Sequence, residues 1–414
     1  MTDRTEGIRI AIDKGGTFTD LWASIPGRKK DIVIKLLSVD PGNYADAPTE
    51  GIRRVLEVAR STKIPRKVKL NLDGVETIRM GTTVATNALL ERKGERSALL
   101  TTKGFKDLLV IGNQARPNIF DLSVARPDVL YSKVVEIDER VTLEEYTENP
   151  EPHHIDPSSD ESLEVGISGE IVRVLRKPNL ADVERDLQAL KADGFKSIAV
   201  CFVHSFTYAK HELAVAEVAR RLGFKVSVSS QLQSMIKMVP RGHSSSADAY
   251  LTPITQNYID TFSQGFEGGL DAALGTRCEF MQSDGGLVDY RKFSGLKAIL
   301  SGPAGGVVGF AQTSYSEKER VPIIGFDMGG TSTDVSRYAG IYDHVFETTT
   351  AGITIQCPQL DINTVVNVET YTDFRLLQAV GRAYFGVMVC LKLVQKVLVH
   401  IQGPLAIGKA ARSL

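Results

Sequence analysis

An eight-residue pattern, D-x-G-G-T-x-T-D, occurs twice in this chain, at residues 13–20 and again at 327–334. Each copy follows a short apolar run, residues 8–12 in the first and 321–326 in the second, and precedes residues that can form another strand. This order predicts strand, glycine turn and strand. Because the pattern is duplicated, we expect two similar lobes that face one ligand between them.

The two turns have the composition of a phosphate-binding loop. Glycine is needed where φ is positive and where a Cβ would obstruct a ligand, so paired glycines can aim successive backbone N–H groups at one anion. Threonine hydroxyls add donors. The candidate nucleotide-binding residues are Gly15, Gly16, Thr17, Gly329, Gly330, Thr331 and Thr333. A single copy would be equally typical of an ordinary hairpin with a type I′ turn, and two copies favour the ligand site.

The carboxylates that open the two patterns, Asp13 and Asp327, are the candidate catalytic and metal-binding residues. They would repel a phosphate unless a divalent cation lay between them, which is the usual arrangement of Mg²⁺ on nucleotide phosphates. The sequence therefore predicts a Mg-nucleotide site. The closing residues, Asp20 and Asp334, either join this site or only brace their hairpins. The sequence contains neither a P-loop nor a G-x-G-x-x-G dinucleotide fingerprint.

Composition restricts the class of protein. At 414 residues the chain can form two or three domains, and its net charge of -1 argues against a nucleic-acid surface. The N-terminus has no long apolar segment, and residues 376–398 contain three basic side chains, so neither a secretory signal nor a membrane span is expected. The four cysteines are scattered without a C-x-x-C pair, as in reduced thiols of a cytoplasmic protein.

Between the two copies, the sequence predicts alternating strands and helices. Thr82 and Thr83 stand between a strand and a helix, where they either cap the helix or help to bind an anion or a substrate carboxylate. Residues 143–168 are acidic and rich in proline and serine, which predicts an exposed loop. Residues 180–229 alternate helix and strand as in a parallel sheet. Arg241, in a predicted polar loop, either contacts phosphate or substrate or forms surface hydrogen bonds.

Six separated segments resemble the hydantoinase A and 5-oxoprolinase family, most of all its eukaryotic ATP-dependent members. In order they are IDKGGTFTD, MGTTVATNALLERKG, MVPRGHSSSADAYLTP, FMQSDGGLV, LSGPAGGVVG and GFDMGGTSTDVSRYAG. The resemblance covers roughly residues 8 to 365. It implies an α/β fold with duplicated, actin-like (ribonuclease H-like) ATPase lobes, of which the first spans residues 1–225 and the second, incomplete, spans 226–365.

The resemblance also implies an activity. Family members use ATP and Mg²⁺ to open 5-oxo-L-proline to L-glutamate, a reaction of glutathione metabolism, or to activate a related cyclic amide or ketone. The expected partners are a small cyclic amide substrate, a hydantoinase B-type half that this chain lacks, and further copies of the full-length protein. Two alternatives stay open: a hydantoinase A or ketone-carboxylase type ATPase subunit, and an inactive fragment that binds only nucleotide or a partner.

From about Val366 the sequence departs from the family pattern, which continues there with a glycine-rich segment. Residues 400–404 read HIQGP, which a one-nucleotide shift converts from the family's Ala-His-Pro-Gly-Pro. We therefore predict that residues 366–414 are an aberrant, out-of-frame tail. Sequencing the transcript across residue 365 tests this prediction.

Overall fold

The structure, a computed structural model, describes residues 7–112, 128–145, 148–151, 153, 155–272, 277–328, 332–350 and 352–366. Its strands, numbered in chain order, are β1 (Ile8–Lys14), β2 (Phe18–Ser24), β3 (Ile32–Leu37), β4 (Val75–Thr82), β5 (Ser97–Thr102), β6 (Lys133–Ile137), β7 (Arg140–Glu145), β8 (Leu163–Val165), β9 (Ile171–Arg176), β10 (Ser197–Cys201), β11 (Lys225–Val228), β12 (Arg277–Met281), β13 (Leu287–Asp289), β14 (Ile323–Met328), β15 (Ser332–Tyr338), β16 (His344–Thr350), β17 (Ile353–Leu360) and β18 (Ile362–Val366).

The helices of the described residues are α1 (Ala47–Arg60), α2 (Val84–Leu90), α3 (Leu108–Ile111), α4 (Leu180–Ala192), α5 (Lys210–Arg221), α6 (Ser229–Leu232), α7 (Met238–Ser263), α8 (Gly269–Ala272) and α9 (Ser301–Ser314). Single 3₁₀ turns are found at Pro157–Ser159, Tyr290–Lys292 and Leu296–Ala298. The fold is therefore mixed α/β, and it confirms the predicted α/β class. The actin-like arrangement of the lobes remains a prediction.

The largest sheet is six-stranded, in the order β13-β12-β4-β1-β2-β3. Strand β1 alternates buried and exposed side chains, because Ile8, Ile10 and Ile12 face a core shared with α1 and the C-terminal half of α7. The intervening residues, Asp13 among them, face the opposite side of the sheet. The burial of the isoleucines thus fixes the direction in which Asp13 points.

A second sheet, β11-β10-β5-β6, is parallel throughout. Every residue of β5 and β10 is buried, because helices α4 and α5 cover one face of this sheet and α7 contacts it as well. The strand and helix alternation predicted for residues 180–229 is confirmed.

The second copy of the pattern forms a smaller unit. Strands β14, β15 and β18 make a three-stranded antiparallel sheet, and β16 pairs with β17 in a separate hairpin. Helix α9 lies against β14: a Cβ built on Gly325 would be only 2.0 Å from a ring atom of Phe310. The same helix contacts β4 and β12 of the six-stranded sheet. Helix α9 therefore connects the two units.

Two sequence predictions differ from the structure. Residues 143–168 are not one loop, because the end of β7, a 3₁₀ turn and β8 lie within them and β8 pairs with β9. Arg241 is not in a loop: α7 already begins at Met238, since burial of residues 241–251 overrides their weak helix propensity. Strands β12 and β13, which follow the predicted boundary at 225/226, pair into the first sheet, and the division into two lobes stays a prediction. The predicted tail lies outside the described residues, apart from Val366.

Candidate functional site

The first copy of the pattern presents a row of charged side chains across three strands. Asp13 of β1 lies directly opposite Asp20 of β2, and Asp20 lies opposite Lys35 of β3. Residues directly opposite in an antiparallel pair point to the same face, so all three side chains lie on the face away from the core. The Lys35 ammonium donates to both carboxylate oxygens of Asp20, at 2.9 and 2.8 Å.

The second copy repeats this row in the same register. Asp327 of β14 lies opposite Asp334 of β15, and Asp334 lies opposite Thr364 of β18. The Thr364 hydroxyl donates to Asp334 Oδ1 at 2.6 Å. The sequence duplication is therefore also a structural one: in each copy the opening and closing aspartates are cross-strand neighbours.

The two rows lie near enough to each other to interact electrostatically. Partial burial raises the pKa of Asp13 to about 6, with further contributions from the negative charges of Asp327 and Asp20 and an opposing one from Lys35. Partial burial also raises the pKa of Asp327, where Lys35 again opposes the shift and Asp20 adds to it. Water still reaches the Asp13 and Asp327 side chains. They are thus accessible carboxylates in a region where negative charge is incompletely compensated.

Asp334 is the third aspartate of the two rows whose pKa is shifted. Burial raises its pKa as well, the Thr364 hydrogen bond opposes the shift, and repulsion by Asp327 adds to it. Asp20 is instead paired with Lys35. The closing aspartates therefore differ: one carries an ion pair and the other a neutral donor.

The first turn is held by hydrogen bonds to its backbone. Gly15 N–H donates to the Phe18 carbonyl at 3.0 Å, and the Ser38 hydroxyl donates to the Gly15 carbonyl at 2.7 Å. Neither Gly15 nor Gly16 has positive φ, so the prediction that these glycines are needed for a positive φ is wrong. Glycine at 15 is instead required by close approach, because a Cβ there would lie 2.9 Å from the Phe18 oxygen.

The remaining predicted nucleotide-binding residues lie in different settings. Gly16 and Thr17 are exposed at the tip of the first turn, where a ligand can reach them. Thr333 is buried and pairs with Met328 in the hairpin. Gly329, Gly330 and Thr331 lie outside the described residues.

Thr82 and Thr83 join the first hairpin to α9. The Thr82 hydroxyl is buried and accepts from Val84 N–H at 3.2 Å, while the Thr82 N–H donates to the Ser301 hydroxyl at 3.2 Å. Thr83 occupies the N-cap position of α2 without a side-chain capping bond, and its N–H donates to the Lys14 carbonyl at 3.1 Å. The predicted cap by Thr83 is therefore wrong, and both residues are brought next to Asp13.

Arg241 lies in the core and not with the two rows. Its guanidinium donates to the Phe202 carbonyl at 3.0 Å and to the Ser229 hydroxyl at 2.6 Å, and it also bonds the Ser205 hydroxyl. The Glu212 carboxylate is 3.8 Å away, and both charged side chains are fully buried. These contacts connect α7 to the end of β10 and to α5, as expected of a structural ion pair.

Three residues of the site were not singled out from the sequence. Lys35 completes the first row, and its place opposite Asp20 follows only from the strand register. Gly81 of β4 and Gly302 of α9 approach Asp13 closely. A Cβ built on Gly81 would lie 3.3 Å from Asp13 Oδ1, and a Cβ built on Gly302 would lie 3.5 Å from it. Glycine at both positions lets β4 and α9 surround this carboxylate.

The described residues include no group of three or more His, Cys, Asp or Glu side chains placed to hold a metal ion. Mg²⁺ is commonly bound by one or two carboxylates together with water and phosphate oxygens. The hard oxygen donors of Asp13 and Asp327, with their uncompensated charge, fit such an ion. In the part of the chain that is described, no helix is long and apolar enough to cross a membrane.

The fold and the site define an α/β protein with two equivalent aspartate hairpins that lie close enough to interact electrostatically. The chain belongs to the hydantoinase/oxoprolinase family. Residues 9–223 match its "Hydantoinase/oxoprolinase N-terminal region" and residues 241–373 match "Hydantoinase/oxoprolinase". This confirms the resemblance found in the six sequence segments.

Individual relatives agree with this assignment. The chain is 58% identical to 5-oxoprolinase of Saccharomyces cerevisiae and 54% identical to 5-oxoprolinase 1 of Arabidopsis thaliana, each over 86% of this chain. It spans only 28% of the length of either relative. Nucleotide-free acetone carboxylase has a similar structure, with a TM-score of 0.64 at 18% identity over 87% of this chain and 48% of that one. At this identity the likeness concerns the fold alone.

Proposed function

We propose that this chain is the ATP-binding part of an enzyme that hydrolyses 5-oxo-L-proline to L-glutamate. The observation that carries the proposal is the pair of aspartate rows, which face each other with accessible, incompletely compensated carboxylates. The name of the yeast relative, at 58% identity, supports the choice of substrate. Since the chain spans 28% of that relative, the complete reaction is proposed for the longer protein.

The proposal includes an actin-like pair of ATPase lobes, residues 1–225 and an incomplete 226–365. Its support is the equal register of the two hairpins, in which Asp13 matches Asp327 and Asp20 matches Asp334. A nucleotide between two such hairpins would place its phosphates near both opening aspartates. The backbone N–H of Gly16 and the hydroxyl of Thr17 would contact the phosphates from the first turn, whose shape the Gly15 N–H fixes through its bond to Phe18, and Gly329 and Gly330 would contact the phosphates from the second.

Asp13 and Asp327 would hold Mg²⁺, which supplies neutralisation of phosphate charge when bound. Gly81 and Gly302 keep the neighbourhood of Asp13 free of side chains, so a ligand can approach this carboxylate. Thr83, whose hydroxyl donates to the Lys14 carbonyl at 3.4 Å, is the candidate contact for a substrate carboxylate. The role of this chain is thus chiefly to position the reactants and to balance charge, as in other phosphoryl transfers.

The chemistry explains why ATP is consumed. A lactam is a poor electrophile because its nitrogen donates electrons into the carbonyl. Transfer of the terminal phosphoryl group of ATP to the carbonyl oxygen creates a leaving group, and ADP departs. One water then adds to the carbon, and the C–N bond opens with a proton taken up by nitrogen, which gives an acyl phosphate. A second water hydrolyses this acyl phosphate, which releases phosphate and leaves L-glutamate.

A related activity is the second candidate. The acetophenone carboxylase gamma subunit of Aromatoleum aromaticum is 28% identical over 79% of this chain, and its name is that of a ketone carboxylase. We therefore keep a hydantoinase A or ketone-carboxylase type ATPase subunit as the alternative. The higher identity to the 5-oxoprolinases favours the lactam.

The test combines binding with turnover. Calorimetry on the 414-residue chain measures Mg-ATP binding. ATP hydrolysis is then followed for this chain mixed with a hydantoinase B-type half, with 5-oxoproline, with a hydantoin and with no substrate. Stimulation by 5-oxoproline supports the proposal, whereas stimulation only by the hydantoin supports the alternative. No nucleotide binding would show that the chain is an inactive fragment. Cytoplasmic location, homo-oligomers and a part in glutathione metabolism belong to the same proposal.

A further inference from the structure

We propose that Lys35 binds the anionic end of the ligand and that it makes the two-row cleft directional. This inference rests on the proposed function, because it assumes that a phosphate-bearing ligand enters the cleft. Its basis is the one difference between two otherwise equivalent rows. The third position is a lysine in the first row and a threonine, Thr364, in the second.

Lys35 is held in place and stays accessible. Both oxygens of Asp20 accept from its ammonium, which also lies 4.9 Å from the centre of the Phe18 ring. More than half of the Lys35 side chain, 57%, is exposed to solvent. A carboxylate and an aromatic ring thus fix the position of a cation that a ligand can still reach.

The charge of Lys35 acts on both hairpins. Its ammonium favours the ionised forms of Asp13 in its own row and of Asp327 in the facing row. The neighbouring Lys14 cannot substitute for it, because its ammonium lies 5.0 Å from the centre of the Tyr258 ring, against the core-side helix α7. The positive charge of the cleft therefore lies on the side of the first hairpin.

A directional cleft predicts which end of a ligand goes where. The second row offers only the Thr364 hydroxyl, and that hydroxyl is already bonded to Asp334. A nucleoside polyphosphate would place its most charged end beside Lys35 and the first turn. The contribution of Lys35 should then grow with the number of phosphates.

The experiment compares binding of AMP, ADP and ATP, each with Mg²⁺, to the unmodified 414-residue chain and to Lys35→Gln and Lys35→Arg. We expect Lys35→Gln to weaken ATP binding roughly tenfold and AMP binding much less, and Lys35→Arg to retain most of the affinity. The matched control is Lys133→Gln in β6 of the parallel sheet. It removes an exposed ammonium that lies 2.6 Å from the Asp193 carboxylate, and it should leave the affinity for all three nucleotides unchanged.

Equal loss of AMP and ATP binding in Lys35→Gln, or no loss, would overturn the inference. So would failure of Lys35→Gln to fold, since an exposed ion pair contributes little to stability and a folding defect would mean a structural role. The double variant Lys35→Gln/Thr364→Lys tests direction: full recovery of ATP affinity would contradict it. If the unmodified chain binds none of the three nucleotides, the proposed function itself fails, and this result is distinct from a failure of Lys35 alone.

Discussion

Asp13 and Arg241 show that residue type alone does not mark a site. Both are charged residues within patterns typical of the family, yet Asp13 is exposed to solvent and Arg241 is fully buried with Glu212. Their different surroundings call for different tests at the residue scale.

Removing the Arg241 guanidinium should destabilise the whole fold and not only weaken a binding site. Arg241→Met leaves the Glu212 carboxylate buried without its cation, so we expect the free energy of unfolding to fall by about 3–5 kcal/mol in urea denaturation. Arg79→Met is the control, because its pair with Glu279 is half-exposed and contributes about 0–1 kcal/mol. Equal effects of the two substitutions would contradict a structural role for Arg241.

Burial should also make the three cysteines of the described residues unreactive. It raises the pKa of Cys201 to about 11 and the pKa values of Cys278 and Cys357 to about 12. Alkylation requires the thiolate, and a raised pKa leaves little thiolate at pH 8. Mass spectrometry after iodoacetamide treatment should find all three thiols unmodified in the native chain and modified in urea. Rapid native labelling of any of them would refute this.

At the scale of elements, α9 holds the two units together. Its first residues contact the end of β4 and Asp13, and its later residue Phe310 packs on β14. The helix contains glycines at positions that differ sharply in the space around them, and this difference can be measured.

Gly306→Ala should stabilise the chain, whereas Gly302→Ala should not. A Cβ at Gly302 would lie 3.1 Å from Thr83 Cγ2, whereas a Cβ at Gly306 meets nothing within 4 Å. Alanine in a helix is favoured over glycine, so Gly306→Ala should raise the free energy of unfolding by about 0.5–1 kcal/mol. Gly302→Ala should lose this gain through crowding. Urea denaturation of both variants checks the prediction, and equal stabilisation would contradict it.

At the scale of the whole molecule, the facing rows couple stability to ligand binding. Repulsion among Asp13, Asp20 and Asp327 destabilises the folded chain without a cation, whereas a cation or Mg-nucleotide would compensate their charge.

The effect of substituting an opening aspartate on the melting temperature should therefore depend on whether Mg-ATP is present. Without Mg-ATP, Asp13→Asn should raise the melting temperature because it removes the repulsion. With Mg-ATP the unmodified chain should gain several degrees, and Asp13→Asn and Asp327→Asn should gain little. Thermal unfolding with and without Mg-ATP measures both effects, and Asp193→Asn is the surface control. An undiminished ligand shift in both variants would refute the assignment of the two aspartates.

The sequence by itself determined the duplicated hairpins, because glycine spacing and apolar periodicity are local properties of the chain. It also predicted the alternation of helix and strand over residues 180–229, around β10. The opening aspartates could be named from the pattern. That these two aspartates lie close to each other could not be predicted from the pattern.

Only the tertiary structure decided how the segments combine. Strand register placed Lys35 opposite Asp20, and packing of α9 brought Gly302 to Asp13 over a separation that no local pattern encodes. It also enclosed Arg241 in the core and drew β12 into the first sheet. The physical reason is that such contacts depend on which hydrophobic surfaces bury each other, a property of the assembled chain and not of any single segment.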